Sequence, residues 1–417
     1  MCDTLVALSN STANCSVLLA KNSDREPDEA QGLLHVGKQS HSEPDVACTY
    51  RRIPQVAETY ECILSKPFQM WGAEMGVNEW GLAIGNEAVF TKVKFDKKQA
   101  GLTGMDMLRL ALERCRTADE AVNTITSLLE QYGQDACGGY RNRKFYYHNS
   151  FLVADPAEAW VVETAGRDWC AERVKDIRSI SNRLSIDTAD RLSEEARANA
   201  AHRGWWNGQE PFSFRKSYSD WLYTTVGRAA ARQTTTTSAC KRLEGKIDAA
   251  VCMNILQTHN IDHPAFQPSR ANTSSVCMHA TGMLNPSQTT CSMVAELRTG
   301  GPHTVWLTGT SMPCLSLYVP YFPGTSTLNE MIQPLAEPDE SLWWQAEKLH
   351  TWICRDYRSR RMLFEEQRLQ LQRDFLERER ILTAGKASLS ELEQFSNECL
   401  RMALMMIRRW SASVNEE

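Results

Sequence analysis

A cysteine stands at position 2, directly behind the initiator Met. Cysteine is a nucleophile as the thiolate, and it needs a base or a positive neighbour to become one. Position 2 offers a special route. Cys is small enough for the Met to be removed, which frees an α-amino group on the residue that carries the thiol. That amine has a reference pKa of about 7.7–8.0, so part of it is neutral near neutral pH. It can take the thiol proton, directly or through water, and later hand it to a leaving amine. One residue then supplies nucleophile and base, and no distant histidine is required.

A second-position Cys without context is usually incidental, but three features give this one a context. It lies immediately before an apolar, β-branched run at 4–8 (TLVAL) that could hold it rigidly. A polar cluster, Lys21, Asn22, Ser23, Asp24 and Arg25, ends the next apolar run. Asn86 closes a third run, WGLAIGNE from Trp80, where a side-chain amide could donate to an oxyanion.

The elements that must position these residues follow from the patterning. Runs 4–8 and 16–20, with a polar turn between them, predict an N-terminal β-hairpin that brings the 21–25 cluster beside Cys2. Further strands are expected from the runs 60–64, 68–76, 80–85, 150–154, 158–164, 169–174, 177–186, 276–280, 290–297 and 303–308. Helical spacing covers 104–116, and Thr117 opens a capping box for a helix over 118–132 that stops at Gly133. Helical patterns also cover 187–203, 219–232 and 245–257, while 204–219 is irregular and aromatic and Thr234–Thr237 suggests a strand or polar loop. Short strands in hairpins, interleaved with helices, favour an α+β domain with antiparallel sheets over a doubly wound parallel one. From about Glu340 the composition changes: 341–380 lacks Gly and Pro, and with 388–411 it predicts two long antiparallel helices. The expected organisation is a catalytic domain over 1–335 and a helical hairpin over 336–417, whose apolar stripe packs on the main domain or on a second copy of the chain.

Several ordered motifs carry a resemblance. CDTLVAL from Cys2, AKNSDRE from Ala20, WGAEMGVNEWGLAIGNEA from Trp71, AWVVETAGRDW from Ala159 and SISN from Ser179 resemble the secernin and dipeptidase family of cysteine-type N-terminal nucleophile (Ntn) hydrolases. VCMH from Val276, QTTCSMVAEL from Gln288 and WLTGT from Trp306 extend the likeness to about residue 330. The resemblance implies a four-layer αββα sandwich of two antiparallel sheets and hydrolysis of an amide bond, commonly in dipeptides. It implies Cys2 as nucleophile and Asp24 as the acid near the α-amine. It places Asn86 and Asn182 where the oxyanion hole and the amine are served, and Arg232 at a later active-site Arg. Lys21 stands where related bile-salt and penicillin-amide hydrolases carry an Arg; a Lys is a point charge without the bidentate fork.

Two other functions use the same residues differently. The chain could hydrolyse N-acyl amides, or it could be a catalytically silent, secernin-like binding protein. The joint presence of Cys2, Asp24 and Asn86 favours an enzyme.

The remaining candidates are weaker. Cys277, His279, Cys291 and Cys314 form no CxxC pair, so core packing is expected rather than a metal, and no cofactor is implied. Cys277 and His279 could touch on one strand face, but no third group orients them. Ser311 lacks the second Gly of a nucleophile elbow. The tryptophan pairs 205–206 and 343–344 suit core or interface more than a ligand pocket.

Composition bounds the partners. The 417 residues hold 46 basic and 51 acidic side chains, a formal charge of −5, so nothing drives phosphate binding and nucleic acid is not expected. No run of about 18 apolar residues suggests a membrane span. Fourteen cysteines, with an acid at position 3 and no basic n-region, suggest a cytoplasmic protein with reduced thiols. The expected partner is a small peptide or amide substrate, with homo-oligomerisation possible through the C-terminal helices.

Overall fold

The computed structural model describes residues 1–97, 100–220, 227–261 and 265–414. The N-terminal hairpin is present as β1 (Cys2–Ala7) and β2 (Val17–Arg25), and every residue of both strands is buried. Strands covered on both faces lose the polar alternation of a half-exposed strand, which is why even the 21–25 cluster is inside.

The chain continues through β3 (Gln31–Val36) and four short strands, β4 (Gln39–Ser40), β5 (Asp45–Ala47), β6 (Arg52–Pro54) and β7 (Glu58–Thr59), that form two small ribbons. Then come β8 (Cys62–Pro67), β9 (Met75–Asn78), β10 (Ala83–Val89), β11 (His148–Ala154), β12 (Ala159–Ala165), β13 (Asp168–Arg173), β14 (Ile177–Ser181), β15 (Arg191–Leu192), β16 (Gln288–Leu297), β17 (Thr304–Leu307) and β18 (Val319–Tyr321). A six-stranded sheet runs β14-β1-β2-β16-β17-β18, and an eight-stranded sheet runs β15-β13-β12-β11-β10-β9-β8-β3. All neighbouring pairs are antiparallel.

The two sheets pack face to face through β1 and β10. Thr4 on β1 donates to Glu87 on β10 across the interface. Helices α1 (Gly104–Arg114) and α2 (Ala118–Tyr132) cover the outer face of the eight-stranded sheet, sharing a core with Leu64, Ile84, Phe151 and Val162. Helices 229–242 and 249–256 cover the outer face of the six-stranded sheet. The result is the four-layer αββα sandwich expected from the sequence.

Capping explains the α1 and α2 boundaries. Thr103 and Asp106 form a reciprocal capping box on α1. The box expected at Thr117 forms by half: its side chain accepts from Glu120 N, while the Glu120 carboxylate takes the Arg116 N–H instead.

Several expected elements differ. Only 196–202 (α3) of 187–203 is helical, preceded by β15, and α4 (Phe214–Tyr218) lies within the irregular aromatic stretch. Of the expected helix at 219–232, residues 221–226 lie outside the described residues, and the helix observed runs from Ala229 to Arg242. It takes in Thr234–Thr237, because the hydroxyls of Thr234, Thr235 and Thr236 each bond to the carbonyl one turn back while Arg232, Thr236 and Cys240 face the sheet. Residues 276–280 form no strand, since Cys277 N–H goes to Thr258 O and Met278 N–H to the Thr289 hydroxyl. The 68–76 run is mostly turn, the 177–186 run ends as a strand at Ser181, and β3 and β18 were not anticipated.

The first C-terminal helix is broken into 342–355, 357–362 and 365–384, followed by 389–414. No Gly or Pro marks the breaks. They turn Tyr357 and Phe364 inward, Tyr357 toward Cys314 and Phe364 against Trp352 and Trp410. Tertiary packing here overrides helix propensity. These helices share the apolar core of the six-stranded sheet, with Leu349, Ile353, Phe395 and Trp410 packed in the same cluster as Tyr318 and Tyr321.

Candidate active site

The β1–β2 register places Cys2 opposite Ser23 and Thr4 opposite Lys21. Side chains alternate along a strand, so Cys2 and Thr4 face the second sheet while Asp3 faces the helix layer. Cys2 Sγ accepts the main-chain N–H of Asp24 at 3.4 Å, and Cys2 N donates to Asn182 Oδ1 at 2.7 Å. Burial pushes the thiol up to about 11, opposed by Lys21 and the terminal ammonium. A thiol so placed needs a local base to ionise.

Asp24 lies beside it at the end of β2. Its main-chain carbonyl accepts from the Met1 ammonium at 2.9 Å, and its Oδ1 accepts from Thr289 Oγ1 at 2.6 Å. A bulge in β16 makes that contact: Thr289 pairs with Asp24 and Cys291 with Ser23, so Thr290 is the extra residue. Asp24 Oδ2 is buried without a protein partner among the described residues. Burial pushes the carboxyl up to about 6 against the pull of the terminal ammonium.

Asn182 follows β14 and gathers three bonds. Its Oδ1 receives Cys2 N and Arg232 Nη2 at 2.6 Å, and its Nδ2 donates to Ala88 O at 2.9 Å. Arg232, fully buried in the 229–242 helix, spends its other donors on Asp3 Oδ2 (2.8 Å), Ser181 Oγ (3.0 Å) and the carbonyls of Gly227 and Thr273. It meets the Cys2 nitrogen only by way of the shared Asn182 oxygen and does not line the pocket.

Lys21 lies beneath Cys2, fully buried between the sheets. Its Nζ donates to Asn86 O at 2.7 Å, with Glu74 at 3.8 Å and Glu87 at 3.9 Å. Gly85 admits the side chain: a Cβ there would meet Lys21 Cδ at 2.6 Å. Burial disfavours the ammonium, yet Cys2, Glu87 and Glu74 together hold its pKa above the usual value. Glu87 is itself pushed up to about 8 by burial.

Asn86 lines the pocket from β10. Its amide nitrogen faces Asn149 Oδ1 at 3.2 Å and Met105 Sδ at 3.4 Å; turned over, it donates to Glu74 O (3.1 Å) and Glu74 Oε2 (3.2 Å). Arg25, Glu29, Glu74 and Tyr147 extend the polar floor. Arg25 bonds to Glu29, to Glu74 at 3.1 Å and to the Tyr147 hydroxyl at 3.2 Å. Of these, only Arg25 stood in a cluster flagged by the sequence; Glu74, like Thr289, lies inside a quoted motif without a stated role, and Tyr147 carried no signal.

These groups surround a cavity of about 390 Å³. Cys2, Asp24, Asn86 and Asn182 all line it, together with Met1. Phe90, Phe145, Met283 and Leu284 add apolar surface to its lining. The arrangement offers a thiol, an adjacent main-chain nitrogen held by an amide oxygen, and a buried carboxyl within one pocket. That is a nucleophile beside a prospective base.

The chain is similar to several known proteins. A family model described as Peptidase family C69 matches residues 2–221. The chain is 30% identical over 167 residues to a Dipeptidase of Bifidobacterium longum (strain NCC 2705), a match covering 35% of this chain and 28% of that protein. It is 27% identical over 177 residues to Dipeptidase A of Lactobacillus helveticus, covering 40% of this chain and 34% of that one. The match thus spans well under half of either relative. Among solved structures, a penicillin V acylase from Agrobacterium tumefaciens superposes with a TM-score of 0.42 at 14% identity, over 76% of this chain and 86% of that one. A conjugated bile acid hydrolase from Clostridium perfringens gives 0.42 at 11% identity, over 73% and 88%.

Proposed function

Because the chain belongs to peptidase family C69, we propose that it is a cysteine-type amide hydrolase that cleaves small peptides, dipeptides first among them, through a thioester on Cys2. The observation that carries this reading is the pairing of Cys2 Sγ in the pocket with Cys2 N on Asn182 Oδ1 at 2.7 Å. Met1 lies in the same pocket, so its removal, which we assign to cytoplasmic processing, both clears the cavity and converts that nitrogen to an amine.

In the proposed cycle the free amine takes the thiol proton and the thiolate attacks the amide carbon. One N–H of the Asn86 side-chain amide donates to the oxyanion; one such donor typically changes the rate by about 10²–10³. The ammonium then protonates the leaving amine as the C–N bond breaks, leaving a thioester. Water, losing a proton to the same amine, attacks the thioester carbon, and the acid leaves as the thiol is regenerated. Asn182 and Asp24 hold the amine, Arg232 holds Asn182, and Lys21 steadies negative charge on Cys2 from below.

A second reading, hydrolysis of N-acyl amides, is favoured by the apolar side chains Phe90, Phe145, Met283 and Leu284 in the cavity lining. Met283 and Leu284 are 95% and 89% exposed, so they offer apolar surface at the mouth of the cavity. One experiment separates the readings: intact mass of the purified chain, then turnover of a dipeptide and acyl-amide panel by wild type, Cys2→Ser and Cys2→Ala. We expect Cys2 at the mature N-terminus and no turnover by Cys2→Ala. Full activity in Cys2→Ala, or an active chain that keeps a residue ahead of Cys2, refutes the mechanism, and silence across the panel favours a binding role.

A further inference from the structure

A second cluster of reactive side chains lies apart from the pocket. His259 follows the 249–256 helix, Cys277 and His279 sit in the loop that replaces the expected strand, and Cys314 lies in the 3-10 turn Pro313–Leu315. Their four ligand atoms all lie within 4.8 Å of one another. His259 Nε2 is 3.2 Å from His279 Nε2, and the sulfurs of Cys277 and Cys314 are 3.6 Å and 3.4 Å from that same nitrogen. None of the four lines the active-site cavity.

These separations are three of the six edges of a four-atom cluster whose other three are no longer than 4.8 Å. Zinc bonds of about 2.3 Å to sulfur and about 2.0–2.1 Å to nitrogen, at tetrahedral angles, require edges of roughly 3.3 Å between nitrogens and roughly 3.5 Å between sulfur and nitrogen. Charge fits as well as shape. Two thiolates neutralise a divalent cation, so the filled site adds no net charge to the interior. Cys277, His279 and Cys314 are buried, and His259 stacks on Phe266 with ring centroids 3.6 Å apart. The Tyr357 hydroxyl donates to Cys314 Sγ at 3.7 Å, a contact that supports a thiolate ligand without competing for a cation.

We propose that His259, Cys277, His279 and Cys314 bind one zinc ion as a structural Cys2His2 site. No two ligands form a CxxC pair, and that is why the spacing argued against a metal; the fold brings three separate segments together instead. Cys291, grouped with these residues in the sequence, lies elsewhere, its sulfur against Ser292 O and Thr308.

The site would brace the active site from behind. Met278, between two ligands, receives Thr289 N–H on its carbonyl and gives its own N–H to the Thr289 hydroxyl, which donates to Asp24. The His279 carbonyl accepts from Asn285 Nδ2 at 2.7 Å, anchoring the turn that carries Met283 and Leu284. Tyr357 ties the same cluster to the C-terminal helices. One ion therefore holds the acid, the pocket mouth and the C-terminal helices in register.

The test reads metal, and so stands apart from any result on peptide turnover. The untagged full-length chain, purified under reducing conditions without chelator, is expected to carry one equivalent of zinc by elemental analysis. Cys314→Ser and His259→Gln should lose it, while Cys291→Ser keeps it. Should the ligand variants not fold, the wild-type chain decides: after zinc removal, cobalt(II) should restore a one-to-one complex with the strong visible bands of a tetrahedral thiolate site. No zinc as purified together with no zinc or cobalt uptake by the reduced chain overturns the proposal. So does a native Cys277–Cys314 disulfide found by peptide mapping, or metal loss in Cys291→Ser with retention in Cys314→Ser.

Discussion

Asn182→Ala tests the grip on the proposed catalytic amine. Asn182 Oδ1 is shared by Cys2 N at 2.7 Å and Arg232 Nη2 at 2.6 Å, and its Nδ2 reaches Ala88 O at 2.9 Å. Once the Cys2 nitrogen is a free amine, its bond to Oδ1 strengthens whenever the amine is protonated. A hydrogen bond to a charged group contributes about 1.5–3 kcal/mol. At about 1.36 kcal/mol per tenfold, its loss should lower kcat by roughly 10- to 100-fold. KM should change little, because the amine acts on the thiol and the leaving group rather than on the substrate's side chains. The assay is steady-state turnover of the best dipeptide, alongside thermal unfolding and the pH profile of kcat. Arg232 keeps four other acceptors, so the fold should persist with a modest loss of Tm. If Tm falls while kcat and its pH profile stay at wild-type values, Asn182 is only a structural strut and the proposed role of the amine is wrong.

Two more outcomes follow from the same network. Arg232→Met should destabilise the chain by about 3–5 kcal/mol, because it leaves Asp3, 1% exposed, as an unpaired buried carboxylate. Denaturant midpoints should show Asp3→Asn with Arg232→Met losing less than the two single changes added together, and strict additivity would refute the pairing. For Asp24, burial raises the carboxyl to about 6, so the folded chain holds that proton more tightly than the unfolded one. Its ionisation therefore lowers stability as pH rises from the usual 3.8 through about 6, while the same ionisation supplies the charge that orients the amine. Across that window kcat/KM should rise as the Asp24 contribution to stability falls, and Asp24→Asn should lose the acidic limb of the rate profile. An unchanged limb in Asp24→Asn would assign it to another group.

What the sequence could reveal depended on whether contacts were local. A hairpin is the shortest route between two strands, so TLVAL and SVLLA were enough to bring Cys2 beside the 21–25 cluster, and the register Cys2 to Ser23 realises it. Asn86 was flagged as an amide closing a strand, but Asn182 came from the family resemblance alone, since no local rule says which strand end from elsewhere in the chain will meet Cys2. Lys21 and Arg232 were given active-site roles by the resemblance; neither lines the pocket, Lys21 bonding to Asn86 O and Arg232 to Asn182 Oδ1 behind it. The bulge at Thr290, which aims Thr289 at Asp24, leaves no trace in period-two patterning. The breaks in the C-terminal helix are equally silent, because side chains that turn inward for tertiary contacts need no Gly or Pro to do so.

The metal cluster shows the same limit from the other side. Three of its four members were singled out by type, but the spacing rule that dismissed them applies to ligands on one short loop. It says nothing of a site assembled from separate segments. His259 was missed because nothing near it repeats, and Cys291 was included because it lies close in sequence. Around position 290 the strand has one residue too many, which sends Thr289 toward Asp24 and Cys291 toward Thr308. A single irregularity therefore separates Cys291 from the histidines and links Thr289 to both Met278 and Asp24. The acid at the active site and the cluster behind it are joined by Thr289, and a substitution there, rather than at any ligand, is where the two should fail together.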